Sequence, residues 1–371
     1  MHVATVNGKY LANGLRKTTT VKYTNALVAS LEFTKVETRP NGLALTATNL
    51  DTFVMTGIAA NFSIPGHTFY LSPNAVEVLL QLHDVDEIKI SVDTKELTFQ
   101  FGEDYMKFAN EPIDSFPDTP LFDPTIDFAP ENIASDLNAI FNLAVKYSHN
   151  DDTKPAMCGV LFTNNHIVAT NANYLLQITH DIHDKPFAAI LNKSFIKALS
   201  SLAGDKKVKI KLDDTFISIN DNATKIVSRL VNASYPNYQT VIPKEQPLHI
   251  RLNKAELLKN MNLVRLLANN STQKVVFNFK PQSYTLATQE TTLMQEIRKQ
   301  GSCDIIKDLD GKVSPDDEFR IAFNSKYLLN VFSSLDEETI VFEMNKDTTC
   351  LTIHEGAYMF LIMPLHLQDA K

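Results

Sequence analysis

His180-Asp181-Ile182-His183-Asp184 is the densest cluster of groups in this chain that could do chemistry. Two imidazoles and two carboxylates within five residues suit a metal-assisted hydrolase or nuclease, with His180, Asp181 and His183 as ligands. Such a site needs a further ligand at helical spacing, and none follows. Asp308-Leu309-Asp310-Gly311 hints at a calcium loop. Counting back from Gly311, however, puts Ile306 at the first ligand position, where an oxygen is required. Cys158, Cys303 and Cys350 are odd in number and form no CxxC pair, which predicts reduced thiols rather than zinc or disulfides. There is no glycine-rich phosphate loop and no recognisable nucleophile motif. The expectation is a protein without catalytic residues, cofactor or metal. A metal-dependent hydrolase or nuclease on a repeated α+β scaffold is the alternative.

The elements that would position these residues repeat. Leu45-Thr46-Ala47-Thr48-Asn49 is followed after about 120 residues by Val168-Ala169-Thr170-Asn171, and after a similar interval by Leu286-Ala287-Thr288-Gln289, a domain-sized period. Each copy leads to a helix-like segment opening at Ser72, Asn192 or Asn324, all suitable N-caps. A hairpin pattern then follows: 88–101, 208–219 and 340–353. Helices are predicted near 7–18, 72–82, 131–147, 192–203, 253–268 and 324–335, two per repeat, against many short strands. Asn41-Gly42 marks a tight hairpin turn. The fold class is α+β, in three domains: 1–123, 124–243 and 244–371. A charged, Gly-containing insertion at 299–317 reads as a hairpin loop. Met359–Leu367 reads as a final apolar strand with Pro364 near its end.

The 371 residues are 44% hydrophobic and 21% charged, enough for three cores. No apolar run reaches the roughly 18 residues of a membrane span. The N-terminus lacks a signal-peptide layout, which predicts a cytoplasmic protein. The formal net charge is -8, but it is unevenly placed. On the predicted helices cations (Lys9, Arg16, Lys17, Lys146, Lys193, Lys197, Lys254, Lys259, Arg265, Lys326) outnumber Glu77, Glu131, Asp136 and Glu256 more than twofold. The strands and loops are correspondingly acidic. A basic helical surface on an acidic body attracts phosphate on one side only.

The triplicated order, the exit Tyr235-Pro236-Asn237-Tyr238 to Val241-Ile242-Pro243, the segment Phe319–Leu328 and the ending Met363-Pro364-Leu365-His366-Leu367 together resemble the bacterial DNA polymerase III beta subunit family, the sliding clamps. The resemblance implies a head-to-tail homodimeric ring, each chain supplying half, which encircles double-stranded DNA without reading its sequence. It would tether the replicative polymerase, the clamp loader and other proteins bearing clamp-binding peptides, with no membrane partner. DNA-facing candidates by resemblance are Arg16, Lys17, Lys146, Lys193, Lys197, Lys254, Lys259 and Arg265. The dimer contact would fall on Met106 and Phe108 of one copy and Leu266 and Leu267 of the other.

The family's peptide pocket would be lined by Met157, Thr170, Ala172, Tyr174, Leu175, Pro236, Thr240, Val241, Thr348, Cys350, Leu361, Met363, Pro364 and Leu365, with His366 at the rim. This chain departs from the pattern there. The usual Gly-His-Arg after the Ala-Thr run is Ala172-Asn173-Tyr174, and the rim arginines become Tyr174, Thr240 and His366. Losing guanidinium groups removes charge-assisted hydrogen bonds. The expected pocket is therefore still apolar, with an altered peptide preference.

Overall fold

A computed structural model describes residues 1–21, 28–113, 115–121, 123–128, 134–182, 185–202, 204, 206–290, 295–307, 319–345 and 350–367. The chain forms two compact units: Met1–Val145 with Ile182–Ala233, and Lys146–Asp181 with Ser234–Lys371. Both contain helices against antiparallel strands, so the fold is α+β. No helix among the described residues is long and apolar enough to cross a membrane.

The helices begin where side-chain oxygens can satisfy orphan N–H groups. Asn7 accepts from the Lys9 amide at the start of Gly8–Thr18, and Ser72 from the Ala75 amide at Pro73–Leu79. Asn192 caps Lys193–Ala198, Asn253 caps Lys254–Val264, and Asn324 caps Ser325–Phe332 in the same way. Helix Ala134–Val145 completes the predicted set, and the expected start at 131 lies outside the described residues. A short helix at Pro155–Cys158 was not expected.

In the first unit a five-stranded sheet ends on Asp104–Ala109, which pairs with Glu96–Phe101 and stands at its edge. An eight-stranded sheet joins Thr34–Arg39, Gly42–Thr48 and Thr52–Ala59 to the later strands Thr224–Arg229, Phe216–Asn220 and Lys209–Leu212. Arg39 pairs with Gly42, so the turn residues are Pro40 and Asn41 rather than the expected Asn41-Gly42, and Asn41 takes the left-handed position at φ 64°. The seam is the antiparallel pair of Thr52–Ala59 with Thr224–Arg229, Thr56 opposite Thr224 and Thr52 opposite Ser228. Its buried face is a hydroxyl ladder. Thr52 Oγ1 lies 2.8 Å from Ser228 Oγ and 2.6 Å from Ser194 Oγ, and Thr56 Oγ1 lies 3.0 Å from Thr224 Oγ1.

The second unit has an equivalent seam, Tyr174–Thr179 against Tyr358–Ile362, with Tyr174 opposite Ile362 and Leu175 opposite Leu361. The second expected repeat is thus shared between the units, because its early strand enters one seam and its late strand the other.

The turn into each seam is the same device. Leu50 (φ 76°) and Ala172 (φ 75°) both sit in the left-handed region. Thr48 Oγ1 accepts from the Leu50 amide at 3.0 Å, and Thr170 Oγ1 from the Ala172 amide at 3.1 Å. Asn49 Oδ1 accepts from the Thr52 amide, and Asn171 Oδ1 from the Tyr174 amide.

One expectation fails. Lys299–Lys307 is not loop but part of a strand, Gln295–Lys307. Gly301, which reads as a loop signal, lies opposite Tyr284, whose ring occupies the space a Cβ would need. The remainder of the expected insertion, 308–317, lies outside the described residues.

Candidate functional site: an uncharged apolar cleft

The second seam positions a cleft of about 190 Å³. Thr170, Ala172, Tyr174 and Leu175 enter it from the left-handed turn and the strand that follows. Leu361 and Met363 come from the paired strand and its exit, where the Met363 amide donates to the Asn173 carbonyl at 2.8 Å. Pro236, Asn237, Tyr238 and Val241 form another wall. That wall is held by Tyr235, whose hydroxyl donates to the Val168 carbonyl at 3.3 Å and whose pKa burial drives upward. Met157 arrives on the short helix Pro155–Cys158, tied down where the His149 amide donates to the Met157 carbonyl.

Tyr174 is 4% exposed. Its hydroxyl donates to the Lys146 carbonyl at 2.5 Å, and its ring stacks on Tyr327 and tilts against Tyr147. Burial raises its pKa, so it stays a neutral phenol through physiological pH. Thr170 Oγ1 is used internally too, donating to the Tyr174 carbonyl at 2.8 Å. None of the residues lining the cleft carries a formal charge. A cleft of this kind can bury apolar side chains of a ligand.

Nine of the expected pocket residues are brought together: Met157, Thr170, Ala172, Tyr174, Leu175, Pro236, Val241, Leu361 and Met363. Thr240 is exposed beside them in Tyr238–Val241, and Cys350 is buried. Neither contributes to the cleft wall, nor do Pro364, Leu365 or His366. The Leu365 amide donates to the Ala322 carbonyl, and the His366 carbonyl accepts from Lys274 Nζ at 2.7 Å. Thr348 lies outside the described residues. Asn237 and Tyr238 were missed, although they stand in the same exit run that suggested Pro236.

The helical cations divide. Arg16, Lys146, Lys197, Lys259 and Arg265 are exposed. Lys17 is half-buried under the first seam, its ammonium donating to Thr224 Oγ1 at 2.8 Å, and burial lowers its pKa. Lys254 Nζ donates to the Leu335 carbonyl, and Lys193 is partly buried. On the edge strand Met106 and Phe108 turn inward against the core of the first unit, Phe108 meeting Phe99 edge-on. Leu266 is 72% exposed and Leu267 partly buried.

His180 packs its ring against Phe162, and burial lowers its pKa, favouring the neutral form. Among the described residues no three His, Cys, Asp or Glu side chains are grouped so as to hold a metal. His183, Asp184 and 308–311 lie outside them.

The fold is that of the DNA sliding clamps. Residues 239–364 match the family described as DNA polymerase III beta subunit, C-terminal domain. The chain is related over almost its full length to the beta sliding clamp of Chlamydia muridarum, 21% identical over 369 residues and 97% of each chain. In structure it resembles the DNA polymerase III beta subunit of Thermotoga maritima, with a TM-score of 0.89 and 18% identity over 99% of this chain and 100% of that one. It also resembles the Helicobacter pylori beta clamp bound to a DNA ligase peptide, with a TM-score of 0.85 and 18% identity at the same coverage. The resemblance carried by the exit and C-terminal motifs thus extends over the whole chain.

Proposed function

We propose that this protein is the sliding clamp of a DNA polymerase. Two copies close head to tail into a ring around duplex DNA and tether the polymerase, its loader and other peptide-bearing partners. Each chain contributes three domains, 1–123, 124–243 and 244–371, and works in the cytoplasm as an accessory subunit without catalysis of its own. The observation that carries this reading is the match of fold to sliding clamps over 99% of the chain.

The physical logic is consistent with it. A ring retains DNA by topology, so its cations need only attract phosphate diffusely and let the duplex slide. The exposed cations Arg16, Lys146, Lys197, Lys259 and Arg265 support that role; Lys17, Lys193 and Lys254 are held closer to the protein. Ring closure would use the main-chain edge of Asp104–Ala109, with Leu266 and Leu267 on the partner's side. Met106 and Phe108 would stiffen that edge from within. The apolar cleft would receive the partner peptides, as its Met and aliphatic walls suit.

The test is retention on closed DNA. The loaded protein should stay on a nicked circle at high salt and leave when the circle is cut. Equal loss from circular and linear DNA rejects encirclement.

A further inference from the structure

We propose that the cleft selects a peptide whose anchors are apolar and whose flank is free of acidic residues, and that Tyr174 sets this choice. The inference rests on the peptide-binding reading above and concerns which peptide is taken.

Size comes first. An apolar cavity of roughly 150 Å³ admits a benzene ring. At about 190 Å³ this cleft has room for a leucine or phenylalanine side chain. Chemistry decides the rest. A carboxylate brought beside these walls would lose water and meet no cation in the lining. The inner polar groups are committed elsewhere, Tyr174 to the Lys146 carbonyl and Thr170 to the Tyr174 carbonyl. Rotating the phenol to greet a ligand would break its hydrogen bond and its stack on Tyr327, centroids 4.3 Å apart.

The loop that carries Met157 is acidic. Met157 is delivered by a loop bearing Asp151 and Asp152 against Lys154. Asp151 is held below the usual carboxylate range by the Thr153 amide, so it stays anionic. The Met157 amide donates to the Lys154 carbonyl, and Cys158 Sγ to the Asp151 carbonyl at 3.1 Å, which ties that loop to the short helix bearing Met157. Neutral walls that offer no counter-charge disfavour an acidic flank.

The experiment uses the full chain and two fluorescein-labelled hexapeptides with the same Leu and Phe residues, one with Asp and one with Asn beside the first Leu. By fluorescence anisotropy the Asn peptide should bind the native chain at least about fivefold more tightly, with little change as salt rises from about 50 to 500 mM. Tyr174→Arg should reverse the order, strengthening the Asp peptide about tenfold in a salt-sensitive way. Thr240→Arg places a cation on the exposed rim without disturbing the stack. It should shift preference the same way even if Tyr174→Arg fails to fold. Tighter binding of the Asp peptide by the native chain, or neither arginine variant changing the order, overturns the inference. Val241→Asp separates the two readings: if it leaves binding of both peptides unchanged, the cleft is not their site and the peptide reading falls with the inference.

Discussion

The rings of Tyr174 and Tyr327 lie 4.3 Å apart with their planes 13° from parallel, joining the seam strand to helix Ser325–Phe332 behind the cleft. Such pairs contribute roughly 0.5–1.5 kcal/mol beyond buried area. Tyr327→Ala should therefore lower stability by at least about 1 kcal/mol in urea unfolding. It should also loosen Tyr174 and weaken peptide binding severalfold. Unchanged affinity would mean that the stack does not hold the cleft wall.

Thr52 sits at the centre of the first seam's hydroxyl ladder, within 2.8 Å of buried Ser228 and partly buried Ser194. Thr52→Val keeps the shape but takes one hydrogen bond from each of Ser194 and Ser228, which both keep Asn192, a loss of about 1 kcal/mol. Adding Ser228→Ala should cost less than the sum of the single changes, since the Thr52–Ser228 bond can be lost only once. Additive losses in denaturant melts would show that the ladder is not one network.

Leu50 is half exposed and left-handed, a conformation costing a non-glycine residue on the order of 1–2 kcal/mol. Glycine removes that strain and gives back part of it as chain entropy. Leu50→Gly should thus raise stability by about 0.5–1 kcal/mol, seen as a melting point a degree or more higher. A lower melting point would show that Leu50 packing outweighs its backbone strain.

Exposed and withdrawn cations should differ in DNA affinity. Arg16→Ala and Lys197→Ala should each weaken binding to linear duplex and reduce its log–log salt slope by up to about 0.9. Lys17→Ala should leave the slope nearly unchanged, because its ammonium is turned to Thr224. Equal slopes for all three variants would put Lys17 on the phosphates after all.

Burial pushes the Cys303 thiol from 9.0 up to about 11, and raises the Tyr147 and Tyr235 phenols as well. The folded chain therefore keeps protons that the unfolded chain releases, so stability is intact below about pH 9 and falls as pH climbs towards 11. Melting points from pH 7 to 11 should decline above pH 9. Cys303→Ala should flatten part of that decline, and a profile identical to the native one would remove Cys303 as a contributor.

Much of this was legible in sequence where the signal is local. Ser72, Asn192 and Asn324 announce their helices because a cap needs only a side-chain oxygen and the next few amides. Hairpins at Asp93–Glu96 and Asp213–Thr215 follow from alternation and turn residues. Long-range effects were hidden. Gly301 looks like a loop residue until Tyr284 is placed across from it. Lys17 looks like a surface cation until the distant Thr224 is brought beneath it. Asn237 and Tyr238 entered the cleft through a short 3-10 turn that has no periodicity to read. The Tyr147–Tyr174–Tyr327 cluster joins residues far apart in the chain, so no spacing betrays it.

Strand Asp104–Ala109 ends its sheet with one row of amides and carbonyls turned outward. A chain that closes on a second copy of itself, as proposed, has to guard such a border against strangers. Lys107, salt-bridged to Glu96 at 2.9 Å and poised over Tyr105, sets charge and bulk along it. Casual strand addition would bury that ammonium, so this border penalises aggregation while staying open to a matched neighbour. Assembly and solubility are thus in tension on these six residues.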